Sequence, residues 1–182
     1  MKYYIKLSLI LLAFCVVASG ILAYVNGLTA PVIAARKAQT EIDTRQALIP
    51  GAEFTEAQTA DGAQYFIAYD PATQDTLGYT FISAETGYSS TVKTMVGMDK
   101  DFKVLAIKVL DHAETPGLGA NCTSESFTGQ FSGLTVDQLK VDKDGGAVVS
   151  LSGATITSRC IANSIRTRIT AVQSDINAGG AE

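Results

Sequence analysis

A run of small and hydroxyl-bearing residues before the C-terminal helix is the segment best suited to bind a phosphate. Residues 152–158 are Ser-Gly-Ala-Thr-Ile-Thr-Ser, and isoleucines at helical spacing follow them. The first N–H groups of a helix lack partners within the helix, and the helix dipole adds positive charge there. These residues therefore predict an anion-binding turn, in which any of the four hydroxyl groups could also be a covalent attachment point.

Two further loops could contact the same ligand. Residues 112–120 (His-Ala-Glu-Thr-Pro-Gly-Leu-Gly-Ala) contain Gly117 and Gly119, which allow the backbone to approach a ligand closely. Residues 86–90 (Thr-Gly-Tyr-Ser-Ser) connect two predicted strands, and Tyr88 could lie over a planar ligand. Taken alone, each segment is equally compatible with an ordinary surface loop, and Glu114 with a solvated carboxylate.

The sequence predicts that an α+β domain with an antiparallel-rich sheet positions these loops. Alternating and aromatic runs predict strands at residues 64–69, 77–84, 91–98 and 103–110, with a tight turn at 99–101. In the last strand, Leu105, Ile107 and Val109 are expected to face the core. Residues 124–131 predict a short helix, 147–151 a buried strand, and 161–176 an amphipathic helix.

An apolar run at the N-terminus predicts a membrane anchor. No charged residue occurs from Leu7 to Val25, and 19 helical residues span about 28 Å, close to the thickness of a bilayer core. Lys2 and Lys6 precede the run, so the positive-inside rule predicts a cytoplasmic N-terminus and an extracytoplasmic domain. The length of the run, and the lack of a small-x-small site after it, favour an uncleaved anchor over a signal peptide.

Helix-breaking residues divide the chain into an anchor (1–28), a helical connector (29–50) and one domain (51–182). Breakers occur at 26–31, and Pro50-Gly51 ends the connector. Without the two lysines that flank the anchor, 12 of the 14 basic residues remain against 18 acidic ones. The resulting formal charge of −6 argues against nucleic acid as a partner.

The cysteine pattern does not predict a metal site. The chain has three cysteines and one histidine, and no CxxC pair occurs. Cys122 and Cys160 could form one disulfide outside the membrane or remain unpaired, because the sequence does not give the distance between them.

Four motifs in a fixed order resemble the covalent-FMN-binding domain family. They are Gly87-Tyr88, Gly97-Met98-Asp99, Glu-Thr-Pro-Gly-Leu-Gly at 114–119 and Ser-Gly-Ala-Thr at 152–155, and the resemblance covers residues 75–172. The best-known members of the family are the G subunit of Rnf electron-transport complexes and the C subunit of the sodium-pumping NADH:quinone oxidoreductase. One position departs from the pattern, because Val149 stands where the family often has an aspartate.

The resemblance implies that FMN is joined through its phosphate to Thr155, by a separate flavin transferase that uses FAD. It also implies that the cofactor lies against two groups of residues. The first group lies in the turn and helix start and comprises Ser152, Gly153, Ala154, Thr157 and Ser158. The second group lies in the two loops and comprises Tyr88, Glu114, Thr115, Gly117 and Leu118.

The implied function is that of an electron-carrying flavoprotein in an Rnf-type complex of the bacterial inner membrane. With its partner subunits, it would couple electron transfer between ferredoxin and NAD to ion translocation, without independent turnover of its own. The alternatives are a component similar to the C subunit of the sodium-pumping enzyme and a non-redox, membrane-anchored binding module.

Overall fold

The computed structural model describes residues 2–179, which form two compact units with a boundary between Thr40 and Glu41. Helix α1 spans Lys2–Leu48 and is continuous across that boundary. It is long and apolar enough to cross a membrane, and its most hydrophobic stretch is not buried at all. The first unit thus has the properties of a membrane-spanning segment.

The break expected near residues 26–31 does not occur, since α1 continues through Pro31. Proline removes one helical hydrogen bond and its ring crowds the carbonyl group of the fourth residue before it, but its φ is helical, and the long α1 accommodates it. The hydroxyl of Thr29 donates to the carbonyl oxygen of Val25 at 3.0 Å, which is a further local contact along the same helix.

Five antiparallel strands form one sheet in the second unit. They are β1 (Glu53–Gln58), β2 (Gln64–Tyr69), β3 (Thr76–Thr86), β4 (Thr91–Asp99) and β5 (Val104–Asp111). Their order in the sheet is their order in the chain, because short turns connect each strand to the next. Strands β2 to β5 agree with the sequence-based strands to within a few residues, whereas β1 was not predicted.

A register shift in the last strand pair reverses the expected orientation of two side chains. The pairing of β4 with β5 is irregular between Gly97 and Met98. Val104 is consequently buried, whereas Leu105, expected in the core, is 38 % exposed. A one-residue shift moves side chains to the other face of a sheet, and the sequence pattern alone does not locate such a bulge.

Helix α3 (Thr155–Asn177) packs against the sheet, mainly against β3. Its buried stripe comprises Ile161, Ile165, Ile169 and Val172, as the helical spacing predicted. Polar contacts supplement this packing, including a hydrogen bond from the Tyr65 hydroxyl to Asp175 Oδ2 at 3.0 Å. Full burial of an isoleucine or valine side chain, as in this stripe, stabilises a fold by about 1.5–3 kcal/mol. The stripe therefore fixes the position at which α3 begins.

The connection from β5 to α3 consists of short turns around a small aromatic core. It contains α2 (Glu125–Thr128), and the rings of Phe127 and Phe131 pack edge to face at 5.4 Å. The buried strand expected at 147–151 does not form, since Val148 makes only one isolated bridge, to Val141. The glycines at 145 and 146 reverse the chain immediately before it, so no longer pairing develops.

Candidate functional site

A cleft of about 440 Å³ lies where the loops after β3 and β5 meet the start of α3. This volume is within the range of about 300–1,000 Å³ that small-molecule sites occupy. Most of the residues singled out in the sequence line it: Tyr88, Glu114, Thr115, Leu118, Gly153, Ala154, Thr155 and Thr157. Gly119, Lys143 and Ile156 also line it and were not among the predicted site residues.

Glu114 connects three segments of the chain at the base of this cleft. Its side chain is buried, with 5 % exposure. Oε1 accepts hydrogen bonds from the backbone N–H groups of Ser89 (3.0 Å) and Ser90 (2.9 Å) and from the Ser90 hydroxyl (3.1 Å). Oε2 accepts a hydrogen bond from the Thr157 hydroxyl at 2.8 Å. One carboxylate thus joins the loop after β3 and the loop after β5 to α3.

The hydrogen bonds to Glu114 keep its carboxylate ionised. Burial by itself raises the pKa of a carboxyl group, but the bonds from Thr157, Ser89 and Ser90 outweigh it and hold the pKa of Glu114 below its ordinary value. The site therefore contains a fixed negative charge whose oxygens are occupied by protein donors.

Two glycines leave the space that Glu114 occupies. A Cβ atom at Gly87 would lie 2.8 Å from Glu114 Oε1, and one at Gly119 would lie 2.7 Å from Oε2 and 2.9 Å from Thr157 Oγ1. Any larger residue at either position would displace the carboxylate or the loop. The glycines of the two sequence motifs thus serve the packing of this buried group.

Helix α3 begins in the cleft without a capping side chain. Its N-cap residue is Ala154, which makes no side-chain hydrogen bond to the first turn, although serine, threonine, aspartate or asparagine is usual there. Gly153 has a φ of +72°, which allows the sharp turn into the helix. The uncapped first turn is thus suited to accept an external anion.

Ser158 stabilises this turn from within the protein. Its hydroxyl accepts a hydrogen bond from the Leu151 N–H at 3.0 Å and donates to the Ala154 carbonyl at 3.1 Å. Ser158 is buried and does not line the cleft, and Ser152 and Gly117, both exposed, also lie outside its lining. These three predicted site residues are therefore adjacent to the cleft and do not form its wall.

Thr155 and Thr157 differ in the availability of their hydroxyl groups. Thr157 is fully buried, and its hydroxyl donates to Glu114. Thr155 is half-buried and lines the cleft, and its Oγ1 accepts a hydrogen bond from Lys143 Nζ at 2.8 Å. The structure therefore distinguishes two threonines that both lie in the hydroxyl-rich turn.

Lys143 lies in a tight loop that is tied to α3. A 3₁₀ turn, Asp142–Asp144, ends at Gly145, whose φ is +78°. Asp144 forms a bidentate ion pair with Arg159, with distances of 2.6 Å to Nε and 2.8 Å to the terminal nitrogen. Nothing in the spacing of the sequence indicates that Lys143 reaches Thr155, because the loop that brings them together has no regular period.

Side chains also hold the segment that contains the atypical Val149. The side chain of Gln130 bonds both the N–H and the carbonyl of Val149, at 2.7 Å and 3.4 Å. The N–H of Ser150 donates to Asp142 Oδ1 at 3.0 Å. A carboxylate therefore lies against this segment even though position 149 has none.

The cysteines take no part in the cleft. Cys122 and Cys160 are buried, unpaired thiols, and burial raises their pKa values to about 11 and about 12. Both are therefore protonated at neutral pH and poorly nucleophilic. Within residues 2–179, no group of histidine, cysteine, aspartate or glutamate side chains could hold a metal ion.

The chemistry of the cleft suits a ligand that has a planar apolar part and a phosphate. Tyr88, Leu118 and Ile156 line it and are 72 %, 44 % and 50 % exposed. The uncapped start of α3 and the Lys143 ammonium, which also lie at the cleft, can receive a negative charge. FMN combines these two parts, so the residues present fit it.

Comparison with known proteins gave consistent matches. The FMN-binding domain family matches residues 87–170, and the RnfG N-terminal region matches residues 2–48. The G subunit of the proton-translocating ferredoxin:NAD(+) oxidoreductase complex of Clostridium ljungdahlii is 31 % identical over 155 residues, which cover 84 % of this chain and 82 % of the relative. The G subunit of the ion-translocating oxidoreductase complex of Methanosarcina acetivorans is 27 % identical, covering 90 % and 92 %.

A solved structure supports the fold. The crystal structure of Shewanella oneidensis NqrC is similar with a TM-score of 0.54 and 21 % identity, covering 70 % of each chain. At this level of identity the similarity concerns the fold alone.

Proposed function

The chain belongs to the RnfG family of ion-translocating oxidoreductase complexes, and from this premise we propose that it carries electrons on FMN bonded covalently to Thr155. The flavin would supply the redox chemistry, and the protein would supply attachment, orientation and electrostatics. The partners would be the other subunits of a membrane complex that couples electron transfer between ferredoxin and NAD to ion translocation.

The hydroxyl of Thr155 is the observation that carries this proposal. It lies at the uncapped start of α3, in the cleft and within hydrogen-bonding distance of a lysine. A phosphoester at this oxygen would be adjacent to the first N–H groups of the helix. Thr157 is a poor alternative because its hydroxyl is buried and bonded to Glu114.

Residues around the cleft would hold and shield the rest of the cofactor. The exposed surfaces of Tyr88, Leu118 and Ile156 would cover the apolar ring and exclude water from it. Glu114 would keep the two loops at a fixed distance from Thr155, through its bonds to both loops and to α3. A tether together with a preformed cleft would keep the cofactor from being lost.

The membrane segment supports a role within a larger complex. Helix α1 is suited to anchor the chain, but it has no aspartate, glutamate, histidine, lysine or arginine between Leu7 and Val25. Ion translocation needs polar or ionisable groups within the membrane, so it would take place in partner subunits. We propose that the N-terminus is cytoplasmic and that the flavin domain is extracytoplasmic, on the basis of Lys2 and Lys6.

Detecting the covalent flavin tests the proposal directly. The chain is produced together with a flavin transferase, separated on a denaturing gel and viewed under ultraviolet light. We expect a fluorescent band for the wild type and for Thr155→Ser, which keeps a hydroxyl, and a dark band for Thr155→Val. Thr170→Val is the matched control, since Thr170 is an exposed threonine of the same helix, and it should remain fluorescent.

Two outcomes would contradict the proposal. Fluorescence that persists in Thr155→Val would place the attachment elsewhere. A dark wild-type band, with a transferase that labels a known substrate, would favour a non-redox binding module. A component similar to NqrC of the sodium-pumping enzyme is less favoured, because the similarity to NqrC concerns the fold alone.

A further inference from the structure

We propose that Lys143 is the phosphate-binding cation of this site. Its ammonium group would stabilise the oxygen of Thr155 while the flavin is attached, and would pair with the phosphoester afterwards. The inference rests on the proposed function, because it concerns the same attachment at Thr155.

The first support is the position of the ammonium group. Lys143 Nζ donates a hydrogen bond to Thr155 Oγ1 at 2.8 Å. Among the described residues that line the cleft, Lys143 alone carries a positive charge, and the one acid, Glu114, is occupied by the donors of Ser89, Ser90 and Thr157. A phosphate bonded to Thr155 would therefore meet a single lysine within the cleft.

The second support is that both acidic neighbours of Lys143 accept hydrogen bonds from other residues, while Asp142 also attracts Lys143 electrostatically. Asp144 forms its bidentate ion pair with Arg159, and Asp142 Oδ1 accepts the N–H of Ser150. These bonds direct two carboxylates toward the protein, while the lysine between them reaches the cleft.

The third support is that the backbone fixes the loop that carries Lys143. The N–H of Asp142 donates to the Val148 carbonyl at 2.7 Å, and the N–H of Gly146 donates to the Val141 carbonyl at 3.0 Å. A Cβ atom at Gly146 would lie 2.0 Å from the carbonyl oxygen of Lys140, so only glycine fits there. The lysine thus projects from a preorganised base, which lowers the entropic cost of binding an anion.

The attachment step explains why a cation is useful at this point. The Thr155 Oγ–P bond forms while the P–O bond between the FMN and AMP parts of FAD breaks. AMP leaves with its negative charge, and the hydroxyl proton passes to a base of the transferase or to water. Negative charge develops on Oγ and remains on the phosphoester, and a nearby ammonium favours both states.

Rates of flavin attachment test this role, with purified full-length chain, flavin transferase and FAD. We expect Lys143→Gln to load about tenfold more slowly than the wild type, which corresponds to loss of one charge-assisted contact. Lys143→Arg should recover most of the rate, because it restores the charge. Lys108→Gln removes the same charge from an exposed position on β5 and should load at the wild-type rate.

A second measurement reports on the finished site. After prolonged loading, the ³¹P resonance of the phosphoester in Lys143→Gln should differ from that of the wild type, while Lys108→Gln should match the wild type. Lys143 is exposed, so equal thermal stability of the three proteins should accompany these differences. A merely structural role for Lys143 would instead lower the thermal stability of Lys143→Gln and leave the ³¹P resonance of the phosphoester unchanged.

The outcomes separate the two proposals. If the wild type loads and Lys143→Gln loads at the same rate, the role of Lys143 is overturned and the proposed function stands. If the wild type takes no flavin from a transferase that is active on a known substrate, the proposed function fails, and the role of Lys143 fails with it.

Discussion

Each carboxylate oxygen of Glu114 serves a different part of the chain. Oε1 accepts three donors of the loop after β3, and Oε2 accepts the Thr157 hydroxyl of α3. Bonds to an ionised acceptor are stronger than bonds between neutral groups. A buried acid that is satisfied in this way adds rigidity, whereas the same acid without donors would destabilise the fold.

Glu114→Gln should therefore lower the free energy of unfolding by about 1–2 kcal/mol at neutral pH, since its bonds become neutral ones. The pKa of Glu114 is lower in the folded state than its ordinary value of 4.5. The ionised group thus stabilises the fold above that pH, and its contribution disappears as the pH falls through the folded-state pKa.

Urea denaturation of the detergent-solubilised chain measures both effects. The difference between the wild type and Glu114→Gln should shrink as the pH is lowered from neutral to about 3. Glu125→Gln changes an exposed carboxylate and should follow the wild type at every pH. A difference that grows on acidification would mean that the folded-state pKa is raised.

At the scale of secondary structure, α3 both packs the core and begins the site. Its stripe of buried isoleucines lies against the sheet, and its first turn lies in the cleft. Packing therefore determines where Thr155 is presented, and the electrostatics of the first turn determine what it can bind. The two roles can be separated by substitutions on opposite sides of the helix.

Ile165→Ala should lower the free energy of unfolding by about 2–5 kcal/mol, because Ile165 is fully buried and its removal leaves a cavity. Ile156→Ala makes the same chemical change at a residue that is 50 % exposed, and should cost less than about 1 kcal/mol. Denaturant melts of the two variants provide the comparison. Similar losses for both would contradict the packing described for α3.

Elements with a strong hydrophobic period could be predicted from the sequence. Strands β2 to β5 and helix α3 were found because alternating or helically spaced apolar residues mark them. β1 was missed because its sequence, Glu-Phe-Thr-Glu-Ala-Gln, is mostly polar and only two of its residues are half-buried. The bulge in β5 depends on how β5 pairs with β4, and the continuity of α1 through Pro31 depends on the rest of that helix. Neither feature can be predicted from the local sequence pattern.

The candidate site likewise contains residues that could be predicted from the sequence and residues that could not. Thr155 and Glu114 belong to motifs that the sequence displays, so both could be singled out. Lys143 could not, because its role arises from a loop whose turns and ion pair bring it to Thr155 only in three dimensions. The hydrogen bond between Glu114 and Thr157 likewise joins residues 43 positions apart. Helix and strand periodicity relates only residues a few positions apart, so the sequence pattern does not predict this bond.

At the scale of the whole molecule, orientation in the membrane decides which compartment the flavin meets. The native cysteines allow a clean test, because Cys122 and Cys160 are buried and Cys15 lies within the apolar run. A cysteine introduced at an exposed site of the domain would therefore be the main target of a water-soluble reagent.

Asp101→Cys, in the turn between β4 and β5, should react with a membrane-impermeant maleimide in intact spheroplasts. Tyr3→Cys, near the N-terminal end of α1, should react only after the membrane is broken. This result is expected from the positive-inside rule applied to Lys2 and Lys6. The reverse labelling pattern would show that the domain is cytoplasmic.

The cleft is assembled from stretches of chain that are far apart in sequence, and this has a consequence for biogenesis. An unfolded chain offers Thr155 neither a helix start nor the amine of Lys143. On the proposed function, folding would therefore precede loading, and the fluorescent fraction of a preparation would count the molecules that reached the native state. Electron-transfer rates of any destabilised variant would then have to be normalised to flavin content before they are compared.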